Sequence, residues 1–68
     1  MYFTRYEIRF EYWEDGDMEY IPFDTLSQAE EYIRTHKDTC KSAENVKCTL
    51  YKIKLYSTYE TKEIIKTL

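Results

Sequence analysis

The sequence predicts an α+β domain with the order strand, strand, helix, strand, strand, in which one helix packs on one face of an antiparallel sheet. Three observations carry the prediction. Residues 2–12 alternate between apolar and charged side chains and run into the chain's only glycine. Thr25 and Gln28 stand at capping-box spacing before a short apolar stripe. Residues 46–56 are rich in β-branched and aromatic side chains and are followed by a second such run near the C-terminus. With 68 residues the chain forms a single domain, 1–68, near the lower limit at which a core is buried without disulfides, metal or a partner.

In the first strand Tyr2, Tyr6, Ile8, Phe10 and Tyr12 occupy one parity, and Arg5, Glu7, Arg9 and Glu11 the other. This is the period of a half-buried strand. Asp15-Gly16 is a preferred pair for a two-residue hairpin turn. A loop of that length sets Ile8 opposite Phe23, Phe10 opposite Ile21 and Tyr12 opposite Glu19 on the core face. On the other face it sets Arg9 opposite Pro22, Glu11 opposite Tyr20 and Trp13 opposite Met18. Pro22 cannot donate to a ladder, which puts the second strand at a sheet edge.

The helix falls within Asp24 to Lys37. Thr25 caps it with Gln28, Arg34, His36 and Lys37 gather near its end, and Leu26, Ala29, Tyr32 and Ile33 form its apolar stripe, about three turns in all. Asp38 to Asn45 is polar and aperiodic, hence a loop. In Val46 to Tyr56 the apolar parity changes partway, which predicts a bulge near Leu50. Glu60 to Leu68 forms the return strand. A four-residue loop at Ser57 to Glu60 sets Ile53 opposite Ile64 and Lys54 opposite Glu63.

The net charge of -3 is mild, but it is unevenly spread. Residues 1–31 hold nine acids against Arg5 and Arg9, whereas residues 32–68 hold eight bases against four acids. Either the halves attract each other within the fold or the molecule is polar and steers toward a charged partner. No apolar run is long enough to span a membrane, and the first residues lack the basic and apolar regions of a signal peptide. A cytoplasmic protein with free Cys40 and Cys48 is expected, and the spacing of His36, Cys40 and Cys48 matches no zinc motif.

A single histidine is a poor basis for acid-base chemistry, and one glycine rules out a phosphate-cradling loop. No catalytic residue, cofactor or metal is therefore expected. The alternation Asp15, Asp17, Glu19 lacks the remaining ligands of a calcium loop and reads as a solvated tip. That tip is nonetheless the leading candidate for a partner site. Trp13, Met18 and Tyr20 are of the types enriched at interface centres, and Glu11, Glu14, Asp15 and Asp17 ring them. The alternative surface is the second hairpin, where Lys52, Lys54, Lys62 and Lys66 beside Tyr56 and Tyr59 suit a single-stranded nucleic acid.

The strand, turn, strand and then Ile21-Pro22-Phe23-Asp24-Thr25-Leu26-Ser27-Gln28-Ala29-Glu30-Glu31-Tyr32-Ile33 resembles the small accessory proteins of bacteriophages and prophages. Some of these inhibit host defence or replication enzymes, so the resemblance implies a non-enzymatic module that binds a host protein. The same stretch is similar to the arm-binding domain of tyrosine integrases, whose sheet is basic where this one is acidic. A ligand-sequestering protein with its site between subunits is a further possibility. Apolar residues on both parities of Val46 to Leu55, together with Ile64 and Ile65, exceed what one helix covers, which predicts a homodimer.

Overall fold

The computed structural model describes residues 1–68. Strands β1 (Phe3–Tyr12) and β2 (Met18–Phe23) are followed by helix α1 (Leu26–Thr35) and strands β3 (Val46–Leu55) and β4 (Glu60–Thr67). All pairings are antiparallel, in the order β2-β1-β3-β4, so the expected α+β class and element order hold. The two ten-residue strands, β1 and β3, lie at the centre and hold six of the eight buried residues. Pro22 lies on edge strand β2, as its missing donor requires. No helix is long and apolar enough to cross a membrane.

The first hairpin departs from the expected register by two residues. Tyr6 pairs with Phe23, Ile8 with Ile21, Phe10 with Glu19 and Glu11 with Met18. The cause lies in the turn. Two-residue turns of the Asp-Gly kind need positive φ at both central positions, whereas only Gly16 adopts one, at 69°. A four-residue turn, Trp13 to Gly16, satisfies the chain with that single left-handed residue: the Tyr12 amide donates to the Asp17 carbonyl at 2.9 Å and the Gly16 amide to the Tyr12 carbonyl at 3.1 Å. Because the shift is even, every side chain keeps its face and only its partner changes.

The second hairpin is also displaced by two, in the opposite sense of loop length. Ser57 and Thr58 alone make the turn, with the Tyr56 amide donating to the Tyr59 carbonyl at 2.8 Å. Ile53 therefore faces Lys62 and Lys54 faces Thr61, in place of Ile64 and Glu63. The rings of Tyr56 and Tyr59 stack across this turn at 4.5 Å and 13°, a contact the longer loop would separate. The expected bulge falls beside Leu50/Tyr51 with Ile65 of β4 as the extra residue, whereas β3 itself runs unbroken against β1 and turns its two apolar parities to opposite faces of the sheet. With Lys62 and Lys66 the bulge guards the free edge of β4 against pairing with another strand.

Helix α1 starts as its sequence dictates. The Gln28 amide donates to Thr25 Oγ1 at 3.2 Å, and Gln28 Oε1 accepts from the Thr25 and Asp24 amides at 3.3 and 3.1 Å. Ala29 is buried against Ile8, Cys48 and Leu50, with Leu26, Tyr32 and Ile33 packed around them, and His36 serves as C-cap. The polar segment after the helix contributes more than a connection. It drops Cys40 into the core and is pinned by Ser42, whose Oγ accepts from the Cys48 amide at 2.9 Å and whose own amide donates to the Leu68 carbonyl at 2.8 Å.

Candidate functional site

Parity sorts the sheet into two unlike faces. Helix α1, Cys40 and Leu68 close the side bearing Ile8, Phe10, Cys48 and Leu50. The opposite side has no second layer. Reading across β2, β1, β3 and β4, its rows are Met18, Glu11 and Lys47; then Tyr20, Arg9, Thr49 and Thr67; then Pro22, Glu7, Tyr51 and Ile64; then Arg5, Ile53 and Lys62; and last Phe3, Leu55 and Glu60.

At the centre of this uncovered face lies a charged cluster. Glu7 is 1% exposed, and its two carboxylate oxygens accept from Arg5 Nη2 at 2.7 Å and Arg9 Nε at 3.0 Å. Residues two apart on a strand share a face, so one acid between two bases on β1 is clamped from both sides. The Arg9 guanidinium also lies over the Tyr51 ring, 5.1 Å from its centroid. Arg5 Nε and Thr49 Oγ1 are buried without a hydrogen-bond partner. Around the cluster Met18, Tyr20 and Ile64 are 48%, 53% and 54% exposed.

The structure brings together part of the expected tip site. Met18, Tyr20 and Glu11 share the uncovered face, with Met18 paired to Glu11 and Tyr20 to Arg9. Trp13 does not pair with Met18; it belongs to the turn, where it is 64% exposed and its amide donates to the Asn45 carbonyl at 3.1 Å. Glu14, Asp15 and Asp17 are exposed beside it. Arg5, Glu7, Arg9 and Tyr51 join the site without being among the residues that the sequence pattern singles out. Opposite charges at i and i+2 on a strand were the signal for the first three.

The lysine hairpin is divided. Lys52, Lys54 and Lys66 stand on the helix side of the sheet, while Lys62 is on the other. Tyr56 is flanked by Tyr59 and by Tyr2, whose ring centroid is 5.3 Å away, and Lys54 Nζ lies 5.2 Å from the Tyr2 centroid. The Tyr56 ring, which a base would need, thus has other rings on both sides, while Tyr59 stays 60% exposed.

The remaining reactive groups are quiet. Cys40 and Cys48 are free thiols in the core, and burial pushes both up, Cys48 to about 11 with Cys40 beside it adding to the shift. Thiols so raised are poor nucleophiles. His36 stacks on Tyr32 at 4.0 Å between centroids, and no three His, Cys, Asp or Glu side chains come together in a metal-binding group. All three ion pairs join residues no more than three positions apart, so the acidic and basic halves do not hold each other by contact. In the sheet β2 and β1 lie beside β3 and β4, and Glu11 of β1 stands opposite Lys47 of β3. Comparison with protein-family models, curated proteins and solved structures finds no match for this chain.

Proposed function

We propose that this protein is a non-enzymatic protein-binding module, a phage-type inhibitor or regulator of a host protein in the cytoplasm, and that the uncovered sheet face is its contact surface. The observation that carries this is an Arg5–Glu7–Arg9 cluster, tied through the buried Glu7 carboxylate and flanked by exposed Met18, Tyr20 and Ile64. Tyrosine and arginine are the side chains that most often anchor an interface, and here the arginines are already held in place, so little rotamer freedom is lost on binding. Glu14, Asp15, Asp17 and Trp13 at the adjoining turn form an acidic, aromatic rim that speeds encounter with a basic partner. The raised thiols and the lone imidazole favour binding over catalysis.

Binding of single-stranded nucleic acid is the second reading, favoured by the placing of Lys52 and Lys54 on the helix side of the strand that ends at the stacked Tyr56 and Tyr59. A second copy of the chain is the other occupant of the uncovered face. Tagged wild-type protein, Tyr20→Ala and Lys54→Ala, each passed over nuclease-treated host lysate, separate these. Tyr20→Ala should retain at least about tenfold less of the captured protein, a hot-spot loss of about 2 kcal/mol, while Lys54→Ala retains it in full. Undiminished capture by Tyr20→Ala would move the site off this face. Sedimentation of the free protein as a dimer that Tyr20→Ala dissociates would assign the face to self-association.

A further inference from the structure

A cleft of about 410 Å³ lies on the helix side, between the last turn of α1 and the turn end of the sheet. That volume falls within the range of small-molecule sites. Phe10 and Tyr12 of β1 and Tyr32 of α1 supply three aromatic walls, and Glu19 of β2, His36 and Thr39 supply the polar groups. It is separate from the uncovered face, on the other side of the sheet.

The hydrogen-bond inventory of those polar groups is one-sided. His36 Nδ1 lies 3.0 Å from the Tyr32 carbonyl and 2.9 Å from Thr35 Oγ1, whose own hydrogen goes to the Glu31 carbonyl at 3.1 Å. A carbonyl only accepts, so Nδ1 carries the proton and Nε2 of the neutral ring is an acceptor. Thr39 Oγ1 donates its one hydrogen to the His36 carbonyl at 3.2 Å and so presents lone pairs. Glu19 is a carboxylate in no ion pair within 4.0 Å. The C-terminus of α1 adds the negative end of its dipole. Three acceptors and a partial negative charge thus meet the rings of Phe10 and Tyr12, whose own electrostatics favour a cation, beside a Tyr32 ring already stacked on His36.

We propose that this cleft binds a small-molecule amine, a protonated primary ammonium on an aromatic body. The ammonium donates to Glu19, His36 Nε2 and Thr39 Oγ1, and the body lies against Phe10, Tyr12 and Tyr32. A quaternary ammonium, with no hydrogens to give, would leave the acceptors unmet. A single lysine side chain would fill only part of the space.

The test is an amide-shift titration of the ¹⁵N-labelled protein at mildly alkaline pH with four probes: 2-phenylethylammonium, 2-phenylethanol, phenylacetate and n-butylammonium. Saturable shifts at Phe10, Glu19, His36 and Thr39 are expected with 2-phenylethylammonium and not with the alcohol or the acid. Glu19→Gln, on an exposed strand position, should keep its fold and weaken the amine by about tenfold or more, the loss of one charge-assisted hydrogen bond. Tyr20→Ala should bind it unchanged, which keeps this site distinct from the protein-binding face. Absence of saturation at millimolar amine, equal shifts from the alcohol or the acid, or an unaltered affinity in Glu19→Gln would overturn the proposal. Binding of n-butylammonium as tight as that of 2-phenylethylammonium would also overturn it, by assigning the cleft to a partner's lysine.

Discussion

On the helix side of the sheet, Ile8, Cys48 and Leu50 are closed from above by Ala29 and from the flank by Cys40, the arrangement of an ordinary two-layer core. On the other side, Glu7 and Ile53 are just as inaccessible, at 1% and 0%, yet no helix or loop covers them. There the cover is lateral. Ile53 faces Arg5 and Lys62 across the strands, and Glu7 lies between two arginines of its own strand, so the apolar stems of long charged side chains lie over the sheet while the two guanidinium groups turn onto the Glu7 carboxylate. The contrast shows that a small domain can shield both faces with one helix, provided that the second is shielded by side chains a partner can still reach. It also meets the expectation of excess apolar area halfway: Ile53 is buried, while Ile64 and Ile65 remain exposed.

The comparison breaks most readily on the covered side. Leu50→Ala should cost about 2–5 kcal/mol, because a rigid two-layer core cannot close over the cavity. In a domain this small that is most of the stability, and a urea melt should show the variant largely unfolded. Ile53→Ala should cost clearly less in the same melt, since the arginine and lysine stems above it are free to settle.

Glu7→Gln tests the lateral cover. It removes the charge that both arginines share, and a loss of about 2 kcal/mol is expected, the scale of a hydrogen bond to a charged group. The loss should be accompanied by faster amide exchange in β1 and β3. A melting temperature equal to wild type would mean that the cluster is only an exposed ion pair.

A smaller effect separates the faces by pH. Cys48 belongs to the covered side, and its thiol is raised from about 9 to about 11 by burial. Between those values the unfolded chain has released the proton and the folded one has not. The contribution to stability is therefore complete below about pH 9 and is lost as pH rises toward 11. Melting temperature measured against pH should fall less steeply over that window in Cys48→Ala than in wild type.

Element identity is legible because period and caps are local: the alternation of β1 and the Thr25–Gln28 box both follow from residues a few positions apart. Neither hairpin register is. In the first, the identity of Asp15-Gly16 hid the cost of a positive φ at the aspartate, and in the second the stacking of Tyr56 on Tyr59 outweighed the pairing of Ile53 with Ile64. Each error moved partners by two places and left faces intact, so Met18, Tyr20 and Glu11 were placed correctly on the face away from the helix. Trp13 was not, because it lies in the lengthened turn. The Arg5–Glu7–Arg9 cluster and the acceptor-lined cleft were invisible for a different reason, since both depend on which side of the sheet the helix covers and where it stops.

The partner surface itself is tested most directly by side-chain oxidation footprinting of the protein alone and in complex with the captured host protein. Met18, Tyr20 and Tyr51 should be protected in the complex, with Trp13 protected in part and Tyr56 and Tyr59 unchanged. Protection of Tyr56 and Tyr59 with Met18 and Tyr20 oxidised as fully as in the free protein would place the partner on the helix side and contradict the assignment of the uncovered sheet face.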